Sequence, residues 1–240
     1  MKCFLFSAAC ILMSVGCFSQ KSSKKKIDLS ARPSDHIMLQ LSSDRWLDAP
    51  DSVASRTKGS SRGANIYFMM DKPFKSNAKM SVAFGLGIST SHLFLNKLRA
   101  AIDGNTPTLY FESLDNTSRY KKYKVSTSYL ELPIELRYSS QPGKNDKSFK
   151  IALGLKVGAL INAHTKGKEL LNASGSKISE VIEKVNSKSY FNTTRIAATA
   201  RVGYGNFSVF GSYNISSSIF KDNTTAPIKL LQVGLTLSGL

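Results

Sequence analysis

The sequence has few acidic residues and, beyond its first segment, no cysteine. All three cysteines, Cys3, Cys10 and Cys17, lie near the N-terminus. The rest of the chain therefore has no means of forming a disulfide, a thiolate nucleophile or a cysteine-ligated metal site. The net charge of +17 reflects 33 Lys+Arg against 16 Asp+Glu. These positive residues are mostly scattered, without a nucleic-acid-binding motif. We expect no nucleic-acid partner, because basic loops beside anionic lipid head groups account for the charge equally well.

Long apolar runs are confined to the N-terminus. Lys2 precedes an almost wholly apolar stretch over residues 4–15, and small or polar residues follow it. This pattern is typical of a secretory signal peptide, so we expect residues 1–19 to be removed on export. Cys17 leaves a lipoprotein signal open as an alternative. Residues 20–34 are polar and predict a flexible periplasmic segment.

From residue 35 onward, apolar residues recur at every second position, as in strands with one apolar and one polar face. The clearest case is the last strand, where Leu231, Val233, Leu235 and Leu237 share one parity. Seven earlier segments show the same alternation: residues 37–42, 64–71, 81–89, 129–138, 149–162, 195–204 and 207–216. Residues 35–240 therefore predict an all-β fold with eight antiparallel strands.

The connections between these strands alternate in length. Long segments cover residues 44–61, 96–122, 165–190 and 217–227, and shorter ones cover 72–78, 139–147 and 205–206. Bacterial outer-membrane barrels have long extracellular loops and short periplasmic turns, so the pattern predicts a closed transmembrane β-barrel in the outer membrane. Within the third long loop, apolar residues at helical spacing predict a short amphipathic helix over residues 177–185.

A soluble lipocalin-like barrel would have the same alternation with its apolar face inward. Two features favour the membrane. The polar parity is rich in glycine and alanine, which suit a narrow packed lumen better than a water-facing surface. Aromatic residues of the apolar parity also lie beside the short turns, as in the girdle at a membrane interface. The predicted girdle consists of Tyr138, Phe149, Tyr204 and Phe207.

Charged residues on the polar parity are of mixed sign and can pair inside the barrel. A hairpin turn at residues 142–143 would bring Glu131 opposite Lys156. Buried charges need partners, since an isolated one is costly. The predicted lumen ion-pair cluster consists of Glu131, Glu135, Lys156 and Arg201. Such a cluster would block a pore.

The strand SYLELPIELRY at residues 128–138 resembles the YLE-P-x-L-x-Y strand of the small outer-membrane β-barrel proteins of Bacteroidota. This group includes the PorT-type and OmpA-like barrels. The resemblance in overall plan extends over residues 35–240. It implies insertion by the barrel assembly machinery and an environment of outer-membrane lipids and lipopolysaccharide.

Evidence for enzymatic chemistry is weak. The histidines are His36, His92 and His164, and no two have the spacing of metal ligands. His92 and His164 are predicted at the outer rim, but nothing fixes a nucleophile beside either. We therefore expect no catalytic, metal or cofactor site. The predicted function is a structural or interaction role in the cell envelope, with an envelope protein as a partner. Two alternatives stay open: a subunit of a type IX-like secretion or assembly complex, and a narrow porin.

Overall fold

The fold was analysed in a computed structural model, which describes residues 36–104, 106, 108–142, 147–216, 218–221 and 227–239. The predicted signal peptide at residues 1–19 and the predicted flexible segment at 20–34 lie outside the described residues. Within those described ranges, no helix is long and apolar enough to cross a membrane.

Nearly all of the regular structure is β-strand. The strands are β1 (Ile37–Leu47), β2 (Arg62–Pro73), β3 (Met80–Leu95), β4 (Leu98–Ala100), β5 (Phe111–Ser113), β6 (Arg119–Ser139), β7 (Phe149–Leu171), β8 (Lys177–Asn186), β9 (Thr194–Tyr204), β10 (Phe207–Asn214) and β11 (Lys229–Ser238). One short helix, α1 (Asp51–Ala54), lies between β1 and β2. The strands β4 and β5 form a separate small hairpin.

The main sheet closes on itself. Its hydrogen-bonded order is β6-β3-β2-β1-β11-β10-β9-β7, and β6 also pairs with β7. Every neighbouring pair in this ring is antiparallel. The ring is the predicted closed eight-stranded barrel. Closure leaves no unpaired strand edge around the ring, which a lipid-exposed sheet requires because the hydrocarbon offers no hydrogen-bond partners.

Residues 177–185 do not form the predicted helix. They lie in β8, which pairs with the upper part of β7 outside the ring. The spacing of Ile178, Val181, Ile182 and Val185 fits a helix, but all four are β-branched and stiff at χ1, which favours a strand. The upper part of β7 provides the edge with which this strand pairs. The spacing of apolar residues within 177–185 gives no information about that edge.

The apolar parity faces outward and the polar parity faces inward. Leu41, Leu153 and Phe207 have exposed fractions of 69%, 59% and 70%, whereas Gln40, Glu131 and Lys156 are each 1% exposed. A soluble barrel would show the reverse arrangement. The small inward residues have a steric role, since a Cβ atom on Gly154 would collide with the carbonyl oxygen of Ile134.

Two strands are far longer than a membrane crossing requires. β6 has 21 residues and β7 has 23, whereas about 10 residues span the bilayer. Their far ends project on the side opposite the short turns, which is the extracellular side. A register shift at Ser128 and Tyr129 separates the barrel part of this hairpin from its projecting part.

Candidate functional site

Charged side chains fill the middle of the lumen, and the first group is centred on Glu131. Its carboxylate accepts a hydrogen bond from Tyr67 Oη at 2.5 Å and pairs with the guanidinium of Arg195. Arg195 also donates to Ser89 Oγ at 3.1 Å, and its guanidinium lies 4.3 Å from the centre of the Tyr129 ring. Both charged groups of this pair are therefore buried and paired with each other.

Lys156 joins this group through a hydroxyl. Its Nζ donates to Tyr67 Oη at 3.1 Å and to Gln40 Oε1 at 3.1 Å. The same Nζ lies 4.7 Å from the centre of the Tyr67 ring. Since Tyr67 Oη also donates a hydrogen bond to Glu131, the tyrosine bridges the ammonium and the carboxylate.

A second ion-pair group lies closer to the periplasmic end. Glu135 accepts from Arg201 at 3.0 Å and from Arg137 at 2.8 Å. Arg137 lies 3.9 Å from Asp71 as well. The structure thus brings Glu135 and Arg201 together, and adds Arg137 as a second cation on the same carboxylate.

A third polar group lies closer to the extracellular end than the other two. Asp44 is 3% exposed and accepts hydrogen bonds from Ser42 and Ser91, both at 2.5 Å, and from Gln232 at 3.2 Å. The lumen therefore holds three successive layers of bonded side chains. In a narrow barrel, such layers occupy the space through which ions would have to pass.

The predicted register of the fourth and fifth barrel strands is wrong by two residues. Glu131 lies opposite Gly158, and Lys156 lies opposite Pro133. The pairs next to the turn, such as Ser139 with Lys150, are shifted in the same way. Glu131 consequently pairs with Arg195, and it reaches Lys156 only through Tyr67.

The sequence reasoning missed Arg195, Tyr67 and Gln40 as members of the lumen network. Their inward parity was visible, because each alternates with an apolar residue on its strand. Which inward residues meet across the lumen depends on the stagger of all the strands around the ring. That stagger cannot be inferred from any local pattern in the sequence.

The aromatic residues predicted as a girdle lie together at the end that carries the short turns. Tyr204 is paired with both Phe207 and Phe149. Tyr138 is opposite Ile151 on the neighbouring strand. All four aromatic side chains are exposed on the outer wall, Tyr138 at 39% and Phe207 at 70%.

A buried apolar cluster covers the opposite, extracellular mouth, and we call it the cap. It is centred on Phe220, which is fully buried. The ring of Phe220 lies 5.5 Å from Trp46, 5.9 Å from Phe111 and 5.1 Å from Phe191, measured between centroids. These residues come from a barrel strand, the small hairpin and two of the long connections. Further cap residues come from β3, β6, β7 and β11: Leu93, Tyr123, Ala163 and Leu230.

Hydrogen bonds hold the long connections to the cap. Tyr190 Oη donates to the carbonyl oxygen of Gly104 at 2.5 Å. Asn192 Nδ2 donates to the carbonyl oxygens of Ser218 and Phe220, at 2.5 and 2.8 Å. The extracellular connections are thus packed together over the mouth of the barrel.

Comparison with known proteins agrees with this geometry. A family model described as outer membrane protein beta-barrel domain matches residues 18–220. The chain belongs to this family. No curated protein matches it. Two similar solved structures are of Ail, the attachment invasion locus protein of Yersinia pestis, one of them in complex with the heparin analogue sucrose octasulfate. Each is 13% identical and covers 84% of this chain and 95% of its own, with TM-scores of 0.34 and 0.32.

The two histidines predicted at the outer rim of this outer-membrane barrel lie on β3 and β7, beyond the exposed apolar residues of the wall. His92 Nδ1 is 2.9 Å from Ser126 Oγ, and Ser126 is paired with His164 on β7. Burial and the nearby Lys124 lower the pKa of His92. Burial and Lys184 lower the pKa of His164 to about 4.

His92 Nδ1 also lies 3.4 Å from Lys124 Nζ, so the same ring nitrogen faces a hydroxyl and a cation. Among the residues that the structure describes, neither His92 nor His164 contacts a carboxylate of the kind that orients the base of a hydrolytic triad. In the part of the chain that the structure describes, no group of three or more His, Cys, Asp and Glu side chains is arranged to hold a metal ion.

Proposed function

We propose that this outer-membrane barrel is a non-conducting scaffold with a structural or interaction role in the cell envelope. Its contacts are made by the folded extracellular end or by the outer wall. Loops and projections on a rigid barrel are free to bind, because the ring alone supplies the stability of the membrane part. The proposal also includes membership in the PorT-type barrels of Bacteroidota, which the strand at residues 128–138 resembles.

The proposal rests on the observation that the barrel is obstructed at two levels, in the lumen and at the extracellular mouth. Paired charges fill the lumen at the level of Glu131 and Glu135, and the cap around Phe220 covers the mouth. A narrow porin needs an open, water-filled path with favourable but weak sites along it. The filled interior supports the scaffold over the porin.

Single-channel recording in planar bilayers tests the non-conducting state, with a general porin as a positive control in the same bilayers. We expect no discrete conductance steps from the refolded mature protein. Stable, reproducible steps of one size would contradict the proposal and favour the narrow porin.

Purification from native membranes in mild detergent tests the interaction role. The expected partners are outer-membrane lipids, lipopolysaccharide, an envelope protein and, during insertion, the barrel assembly machinery. A stable, stoichiometric complex with several other subunits would favour the secretion or assembly alternative. We expect no enzymatic activity, so lipid or peptide hydrolysis that disappears in His92→Gln would contradict that expectation.

A further inference from the structure

A patch of basic side chains lies on the outer face of the extracellular ends of β2, β6, β7 and β8. We call it the basic face. It consists of Arg62, Lys122, Lys124, Lys166, Lys168 and Lys184, from β2, β6, β7 and β8. A groove of about 220 Å³ runs among four of these lysines and is lined also by Phe94.

The basic face is built from like charges placed directly opposite one another. Lys124 is paired with Lys166, and Lys166 with Lys184, across three adjacent strands. In the next row, Lys122 is paired with Lys168. Like charges directly opposite on one face of a sheet destabilise it. An arrangement of this kind gains stability when an anion binds between the rows.

Within the part of the chain that the structure describes, none of these six residues forms a salt bridge with a carboxylate. Of the acidic residues on β7 and β8, Glu183 accepts from Tyr120 Oη and Glu169 pairs with Lys121 at 2.7 Å. Burial and the neighbouring Lys166 and Arg62 lower the pKa of Lys124, as expected among uncompensated cations.

The register shift between β6 and β7 creates the face. Below the shift, odd-numbered residues of β7 such as Leu155 point outward, and above it Ala163 and Thr165 are buried. The extra residue therefore turns Lys166 and Lys168 to the outer side, beside Lys122 and Lys124. Such bulges re-aim side chains at functional surfaces.

The basic face continues the lipid-facing wall. Lys166 lies five residues beyond Ile161, the last exposed apolar residue of β7, which is roughly 17 Å along a strand. Its long side chain can bend down toward the head groups. The cations thus lie on the same outer face as the apolar wall, beyond its extracellular end.

We propose that the basic face binds the phosphate groups of outer-leaflet lipid head groups, the phosphates of lipid A above all. The inference rests on the proposed function, because it names the partner of the outer wall. Its place on the outer face and its continuity with the apolar wall favour a lipid over a soluble polyanion, which would approach from above. Phe94 in the groove provides an apolar contact beside the cations, as an amphiphilic ligand requires.

The test is a titration of the refolded mature protein in neutral detergent with bisphosphorylated lipid A, and with lipid A stripped of its phosphates. The variant Lys124→Gln/Lys166→Gln removes two charges from the face. Lys97→Gln/Lys188→Gln removes two extracellular charges that do not line the groove. Each basic residue near an anionic surface contributes about fivefold, so we expect roughly 30-fold weaker binding for the first variant. The affinity of the second variant for lipid A should differ less than about threefold from that of the wild type.

A second readout separates binding from a structural role. Because the lysines repel one another, Lys124→Gln/Lys166→Gln should unfold at the same or a higher temperature without lipid A. Lipid A should then raise the unfolding temperature of the wild type but not of this variant. If the double variant does not fold, Lys184→Gln, on a strand outside the barrel ring, should weaken binding about fivefold.

Three outcomes would overturn the inference: equal weakening by both double variants, equal affinity for dephosphorylated lipid A, or tighter binding of heparin or inorganic phosphate than of lipid A. Conductance recorded on the same samples keeps the two proposals apart. A barrel that conducts and still binds lipid A through the basic face would contradict the scaffold proposal and support this one.

Discussion

The pairing of Glu131 with Arg195 is the contact most open to a quantitative test. Both side chains are buried, at 1% and 5% exposure. Replacing Arg195 by Met leaves the Glu131 carboxylate with Tyr67 and, beyond it, Lys156. Breaking a buried pair by removing one partner costs about 3–5 kcal/mol of unfolding free energy. We expect the lower end of this range, because the bridged lysine still compensates part of the charge.

The double variant Glu131→Gln/Arg195→Met leaves no unpaired charge from this pair, so it should cost much less than the two single changes together. A double-mutant cycle should give a coupling of at least about 2 kcal/mol. For Glu131 and Lys156 we expect about 1 kcal/mol, falling toward zero when Tyr67 is replaced by Phe. The tyrosine hydroxyl is the link between those two charges.

The assay is urea unfolding of the barrel in lipid vesicles, followed by the fluorescence of Trp46, the single tryptophan, and by heat-modifiable migration in gels. The surface pair Arg99 and Glu112, at 3.4 Å and with 26% and 46% exposure, serves as the matched control. Its coupling should stay below about 1 kcal/mol. Additive effects of Glu131→Gln and Arg195→Met, or a stronger coupling of Glu131 to Lys156 than to Arg195, would refute the pairing described above.

Four further changes test other parts of the structure. Leu153→Arg puts a cation on the lipid face near mid-strand and should cost about 2–4 kcal/mol in the same assay; unaltered folding would mean that this residue does not face lipid. Gly154→Ala should destabilise the barrel more than Gly211→Ala, since a Cβ at 154 collides with a neighbouring strand and one at 211 meets nothing within 4 Å. Phe220→Ala should cost about 3–5 kcal/mol and open the cap to proteolysis, and a protease-resistant variant would contradict the packing of the long connections. The folded-state pKa of His164, about 4, lies below its ordinary 6.5. Its stabilising contribution is therefore present above pH 6.5 and lost as the pH falls from 6.5 toward 4, which an NMR titration and urea midpoints against His164→Gln would detect.

The long connections contribute apolar residues to the cap and so take part in a folded extracellular end. Phe111 and Phe220 come from segments that the sequence presents only as loops, yet they pack against Trp46 on the first strand. Phe191 packs in turn against Phe220. Apolar residues in exposed loops would be costly. Collected over the barrel mouth, they bury one another and make the extracellular end a folded body. The barrel therefore offers rigid surfaces outside the membrane.

Alternation along single strands determined most of the architecture. The parity of Leu231, Val233 and Leu235, repeated in seven earlier segments, specified the strands, the lipid-facing wall and the inward glycines. Unequal connections specified which end is extracellular. These features are local, because a strand has period two whatever its partner.

Contacts between distant segments were decided only by the tertiary structure. Arg195 rather than Lys156 meets Glu131, residues 177–186 form a strand because β7 offers an edge, and Lys166 turns outward because one residue is inserted opposite Ser128 and Tyr129. The first of these depends on register alone, since a shift by two residues keeps every side chain on its proper face. Registers that differ by two residues therefore bury the same hydrophobic side chains. Turn lengths, strand stagger and the pairing of charges across the closed lumen decide between them.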